Sequence, residues 1–294
     1  MDMMSNLKAF ATTARTGSFS ATARELGVAP SVVTKRVEQL EAALRTRLFE
    51  RTTRLVTPTD AGRRHLPRVR ALIAEYDATL AAMTARTGAL SGHLRLKVPT
   101  TLGERVLGPA LAAFQRRHPA VSLDIALLDG PVNPVETGFD VAIGAFTPTF
   151  GGVMDFPLRP LRRHLCAAPA YLAAHGVPRH PRDLLAHACL DFAPSGRVWS
   201  FRGPEGPVSV EVMPRLAAND GQVLLEAALE GNGIALLGTY LTAAPLAEGR
   251  LVVVLPDFAM PELLLKAVVP ETRAQAALVR ALLAWLDAAL GPEL

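Results

Sequence analysis

The sequence predicts an α-rich N-terminal part followed by an α/β body, and three observations predict it. Two short amphipathic segments meet at a glycine-containing tight turn, and a small hairpin pattern, "LFERTTRLVTP", comes after them. Apolar residues then recur at spacings of 3, 4, 3, 4 and 3 between 66 and 83, a heptad seam on one long helix. From residue 92 onward, strand-like and helix-like runs alternate in two successive groups, the pattern of helices laid on the faces of a sheet.

The chain has 294 residues, half of them apolar, enough for two or three ordinary domains. No run approaches the roughly 20 apolar residues of a membrane span, so no membrane partner is expected. "MDMMSNLKAF" carries an acid and no apolar stretch, so no signal peptide is expected either. Two cysteines, Cys166 and Cys189, point to a reducing compartment, the cytoplasm, and to ordinary packing. Charge is uneven. Residues 1–90 hold 14 Lys and Arg against 8 Asp and Glu, and the remainder holds 17 against 19. A basic first third suits a polyanion, although a solvated charged face would read the same.

The first helix is expected on the stripe Leu7, Phe10, Ala11 and Ala14, ended by Gly17 in a left-handed cap. The second, "SFSATAREL", takes Ser20 as its N-cap and turns Ala23 and Leu26 inward. After Gly27 the third, "PSVVTKRVEQLEAAL", buries Val33, Val37, Leu40 and Leu44. Its other face begins with Ser31, Thr34 and Lys35, with Arg36 at the flank. A recognition helix enters the major groove by its N-terminal end, where hydroxyls and basic groups reach base edges and phosphates. An ordinary surface helix also carries such residues, so the context decides. The hairpin places Arg51, Thr53 and Arg54 at its tip, suited to phosphate or minor-groove contact.

Thr59 then caps a long helix whose seam is Leu66, Val69, Ile73, Tyr76, Leu80 and Met83. The seam pairs with a second chain or packs on its own domain. Pro67 lies within it, and an interior proline costs about 3 kcal/mol or kinks the helix. A bend, or a start later than Thr59, is expected.

The stretches "TGSFSATARELGVAPSVVTKRVEQLE" and "LFERTTRLVTPTDAG" and the seam helix together resemble the N-terminal part of LysR-type transcriptional regulators. The resemblance implies a winged helix-turn-helix domain over 1–58 and a linker helix and hinge over 59–90. It places Pro30, Ser31, Thr34, Lys35, Arg36, Arg51, Thr53 and Arg54 at DNA-contact positions. Ala29 departs from the pattern, which usually has Ser or Thr there, and loses a capping hydroxyl worth about 1 kcal/mol.

In the remainder, "GHLRLKV", "VSLDIALL" and "FDVAIGAF" read as strands around the helix "TLGERVLGPALAAFQRRHP" and a short helix in "GPVNPVETG", giving β-α-β-α-β and a parallel sheet. A second group follows: "LRRHLCAA", "DLLAHACLDF", "PVSVEVMPRL", the helix "DGQVLLEAALEGN" and "GIALLG". "LLLKAVV" and the helix "ETRAQAALVRALLAWLDAAL" close the chain. These two units resemble the effector-binding part of the same family and are similar to type 2 periplasmic binding proteins. The resemblance implies an effector domain over 91–294, with subdomain I over 93–160 plus 266–294 and subdomain II over 161–265.

A ligand is expected between the subdomains, at strand C-ends and helix N-termini. Thr100 and Thr101 follow a strand and open a helix, a setting for a small anion. Asn219 and Asp220 open the other large helix, where capping also explains them. Phe146, Phe192, Trp199 and Phe201 are cleft walls or core. "DVAIGAF" lacks the Arg common in the family after this strand, so an anion must find its charge elsewhere.

No GxSxG, HExxH or phosphate loop is present, and no metal, cofactor or catalytic set is expected. The expectation is therefore a non-enzymatic regulator. Its implied partners are a pseudo-palindromic double-stranded DNA operator, an anionic small-molecule effector, a homodimer or homotetramer, and RNA polymerase. A solute-binding protein, an enzyme on the α/β units and an effector-independent regulator are the alternatives.

Overall fold

The computed structural model describes residues 2–51, 56–84, 90–146 and 148–292. They form two compact units, one built mainly from the first 93 residues and the other from most of the rest.

In the first unit, α1 (Met3–Thr16) is capped by Asp2 and closed by Gly17 at φ 64°. Its buried face is Asn6, Ala9, Phe10 and Thr13, one step round from the expected stripe. Apolar patterning discards Asn6, yet its amide donates to Gln39 Oε1 at 3.3 Å, so a polar residue sits inside at little cost. The second helix, α2 (Phe19–Leu26), is capped by Ser18 and not by Ser20. That earlier start makes Phe19 helical, and its ring meets Phe49 edge-on at 6.2 Å.

Helix α3 (Pro30–Leu44) buries Val33, Val37 and Leu40. Leu44, expected as the fourth, is 52% exposed, because the helix ends there and Arg45 turns left-handed at φ 49°. Glu41 then accepts from the amides of Leu48 and Phe49 at 2.7 and 3.1 Å. This pins β1 (Phe49–Arg51), which pairs antiparallel with β2 (Val56–Pro58) in the register Phe49 to Pro58. The hairpin is thus present. Thr53, Arg54 and the side chain of Arg51 lie outside the described residues.

Helix α4 (Asp60–Thr84) begins where Thr59 Oγ1 accepts from the Gly62 amide at 3.0 Å. The later start expected from Pro67 does not occur, since the helix runs through it at the loss of one ladder bond. Leu66 and Val69 pack against the core of α1–α3, Ile73 is half-buried, and Tyr76 and Leu80 are exposed. The Met83 side chain lies outside the described residues.

The body begins with β3 (Gly92–Val98), α5 (Thr100–Leu102), a π-helical turn (Gly103–Leu107) and α6 (Gly108–Arg117). Gly103 allows that turn to press on the strands, since a Cβ there would lie 2.7 Å from Leu127 and 2.9 Å from Val98 side-chain atoms. Next come β4 (Val121–Leu127), α7 (Pro134–Thr137), β5 (Val141–Gly144) and β6 (Val153–Leu161). The second group is β7 (Arg163–Ala167), α8 (Pro169–His175), β8 (Cys189–Phe192), the hairpin β9 (Val198–Gly203) and β10 (Gly206–Glu211), and β11 (Pro214–Ala218). It continues with α9 (Gly221–Leu229), β12 (Ile234–Gly238), α10 (Thr239–Ala247) and β13 (Val252–Val253). The last elements are β14 (Leu263–Pro270) and α11 (Ala277–Ala289), which starts later than Glu271.

Two five-stranded sheets result, ordered β4-β3-β5-β14-β6 and β11-β8-β12-β7-β13. Both are mixed, not parallel as expected. The late strand β14 runs antiparallel to β5 and β6, and β7 runs antiparallel to β12. The sequence reading missed β6 because Pro157 and Pro160 lie in it, but it is an edge strand, where proline is tolerated. It also missed β9, β13 and the Pro245-containing α10, and it fused β10 with β11, which belong to different sheets.

Candidate functional site

Two sets of residues are candidates, one on α3 and one in the body. At the start of α3, Ala29 takes the extended N-cap conformation and supplies no side-chain hydrogen bond. Proline fits the next position because its absent N–H has no helical partner. Pro30, Ser31 and Lys35 are exposed, and Thr34 and Arg36 are half-buried. The Thr34 hydroxyl donates to the Pro30 carbonyl at 3.2 Å, which leaves its lone pairs outward. The helix end adds its own partial positive charge.

In the body a cleft lies between the two sheets, the kind of place where small-molecule sites form. Its walls come mostly from strand C-ends and the segments that follow them, with Arg163 at the start of β7. Lys97, Gly144 and Phe146 line it from the first sheet's side, and Arg163, Phe192 and Gly238 from the second's. Phe146 and Phe192 face each other with centroids 5.9 Å apart.

Thr101 lines this cleft with Gly221, whereas Thr100, Phe201, Asn219 and Asp220 are not among its lining residues. Phe201 and Trp199 belong to the core under β9 and β10. Asn219 is exposed. Asp220 caps α9, accepting from the Val223 amide at 3.0 Å, and also accepts from Thr101 Oγ1 at 2.9 Å. Thr101 Oγ1 in turn accepts from the Gly221 amide at 3.1 Å. Thr100 is occupied as well. Its amide and hydroxyl both donate to the Asp129 carboxylate, at 2.9 and 2.5 Å. The helix N-terminus expected to hold an external anion therefore holds an internal one.

The charges missed by the sequence reading are Lys97 and Arg163. Lys97 is 2% exposed and donates to the Ile143 carbonyl at 3.2 Å. Burial pushes its pKa down to about 8, with Asp129 opposing the shift. Burial likewise pushes Arg163 down to about 10. Its guanidinium lies over the Phe146 ring, 6.0 Å from the centroid. One Nη donates to the Pro261 carbonyl at 3.3 Å, while the buried Nε has no hydrogen-bond partner among the described residues. A lysine inside the apolar run "LRLKV" was a readable signal. For "LRRH" nothing in the pattern says which arginine turns inward. Tyr240 also lines the cleft, and burial raises its hydroxyl pKa.

Other chemistry is sparse. Cys166 and Cys189 are free and buried, their thiols pushed up to about 12 by burial. Among the described residues no three His, Cys, Asp or Glu side chains group to hold a metal, and no helix is long and apolar enough to cross a membrane.

Comparison with known proteins identifies the two parts of the chain in which these sets lie. Residues 4–63 match the family model "Bacterial regulatory helix-turn-helix protein, lysR family", and residues 87–291 match "LysR substrate binding domain". The probable HTH-type transcriptional regulator LtrA of Klebsiella pneumoniae is 33% identical over 260 residues, covering 88% of this chain and 84% of that protein. The HTH-type transcriptional regulator DmlR of Escherichia coli K12 is 33% identical over 265 residues, covering 89% and 86%. The structure of CrgA, a LysR-type regulator from Neisseria meningitidis, superposes with a TM-score of 0.62 at 29% identity, covering 98% of each chain. With a helix-turn-helix at its N-terminus and a two-subdomain α/β body carrying a cleft, this chain belongs to the LysR family of transcriptional regulators.

Proposed function

We propose that this regulator recognises a pseudo-palindromic operator as a dimer or tetramer in the cytoplasm. We take residues 1–58 as its DNA-binding domain, 59–90 as linker and 91–294 as its effector domain. Ser31, Thr34 and Lys35 face base edges and phosphates, with Pro30 and Arg36 beside them. Arg51, Thr53 and Arg54 meet the DNA backbone from the hairpin. Tyr76, Leu80 and Ile73 supply the pairing surface of α4, with Met83 continuing it, while Leu66 and Val69 serve the chain's own core.

A small anion bound in the cleft shifts the balance between two arrangements of the oligomer, and it acts only through its differential affinity for them. RNA polymerase is the partner through which transcription responds. The observation that carries this reading is that one chain joins a recognition helix with basic residues on its outer face to a cleft whose Arg163 has no carboxylate ion-paired to it among the described residues. A desolvated cation without a counter-ion is costly unless a ligand supplies one.

The test is selection of genomic fragments by the purified protein. Recovered fragments should share two half-sites related by two-fold symmetry, about 10 base pairs apart or a multiple of that. Recovery without any shared motif would refute sequence-specific recognition.

A further inference from the structure

We infer that the effector is an organic monoanion, its charged group held by Arg163 and its apolar body lying along Leu102, Phe146 and Phe192. This rests on the effector-binding reading above and names its ligand class.

Three observations converge. The first is the donor. Among the described residues, Arg163 Nε is buried in the cleft wall without an acceptor, and the guanidinium's hydrogen bond is to a neutral carbonyl, that of Pro261. A guanidinium presents a planar fork that a carboxylate fits in two bonds. The Phe146 ring centroid lies 6.0 Å from the guanidinium carbon, and Arg163 lines the cleft.

The second is the occupied helix end. Both oxygens of Asp129 already take the Thr100 amide and hydroxyl, and Asp129 lines the same cleft. A second anionic group on the ligand would meet this carboxylate and find no free helix terminus there. Asp129 lines the cleft with Lys97 and offsets its charge, so Arg163 is left as the one cation for a ligand to balance, and one negative charge suits the cleft better than a polyanion.

The third is the remaining surface. Pro99, Leu102, Leu161, Leu236 and Leu241 line the cleft with the two phenylalanines. A bare inorganic anion held at Arg163 would leave this apolar lining without a partner. Phe146 and Phe192 come from opposite walls, at 5.9 Å and 41°, so an apolar body lying along both would engage the two subdomains together.

The experiment is calorimetric titration of the full-length protein with phenylacetate and hexanoate. The controls are phenylacetamide, hexanamide, acetate and inorganic phosphate. At least one of the two carboxylates should bind about tenfold or more tightly than its amide and than acetate, with phosphate no better than acetate. Arg163→Gln should weaken that carboxylate about 10- to 100-fold, the worth of charge-assisted hydrogen bonds, and Arg163→Lys should recover only part of it. Melting of each ligand-free variant shows whether it is folded, and the comparison among probes on the unmutated protein does not depend on any variant.

Acetate or phosphate binding as tightly as the larger carboxylates would overturn the ligand class while leaving an anion in the cleft. Amides matching their carboxylates, or no binding by any probe, would overturn the anionic effector itself. Full carboxylate affinity in folded Arg163→Gln would overturn the anchor.

Discussion

Replacing Lys97 by methionine should stabilise the body of this protein. Lys97 is 2% exposed, and burial moves its pKa from 10.5 to about 8. The folded-state pKa lies below the unfolded one, so the folded chain holds the proton less tightly. Below pH 8 both states are protonated and the full penalty is present; as pH rises from about 8 toward 10.5 the folded chain sheds the proton first and stability increases. At about 1.4 kcal/mol per pKa unit, the penalty at pH 7 is about 3 kcal/mol. Methionine keeps the length and removes the charge, but it also removes the bond to Ile143 and the cation near Asp129. A net gain of about 1–2 kcal/mol is expected, or about 2–8 °C in Tm for a body of this size.

Both tryptophans, Trp199 and Trp285, lie in this body. Urea unfolding followed by their fluorescence therefore reports on it without the DNA-binding part. The difference between variant and parent should shrink as pH rises from 8 to 10.5. A variant less stable than its parent at pH 7, or a difference unchanged with pH, would refute the reasoning.

The other predictions concern hydrogen bonds and DNA contacts. Ala29→Ser places a hydroxyl at an N-cap whose φ and ψ, −71° and 149°, already suit one; thermal melting should show about 1 kcal/mol of added stability. Thr101→Val strands the Gly221 amide and one oxygen of Asp220, so urea unfolding should show a loss of about 1–3 kcal/mol. Lys35→Ala should weaken binding to all sequences alike and lower the salt slope by about 1, as read by affinity across a salt series. Thr34→Ala should instead relax base preference in a selection experiment, by about 1–3 kcal/mol at the contacted base pair.

Much of the fold was legible because its signals are local. Gly17 closes α1 left-handed at φ 64° as expected, Gly27 closes α2 in the same way, and the hairpin and most sheet strands stand where apolar runs placed them. What failed needed information from across the chain. Sheet direction was misjudged because β14 returns antiparallel from over a hundred residues away. The edge strand β6 was hidden by prolines that only its position excuses. At the cleft, Thr101 was placed from a strand end and Phe146 was left between cleft wall and core, while Thr100 was assigned to a ligand because nothing local shows that Asp129 reaches it. Arg163 escaped for the same reason, since its place in the cleft depends on the pairing of β7 with β12.

The most direct measurement is a footprint of the purified protein on the DNA upstream of its own gene, titrated in salt. Two protected half-sites separated by whole helical turns, lost steeply as salt rises, are the predicted result. Uniform, weak protection with no half-sites there, together with no shared motif among genomic fragments, would contradict sequence-specific regulation by this chain.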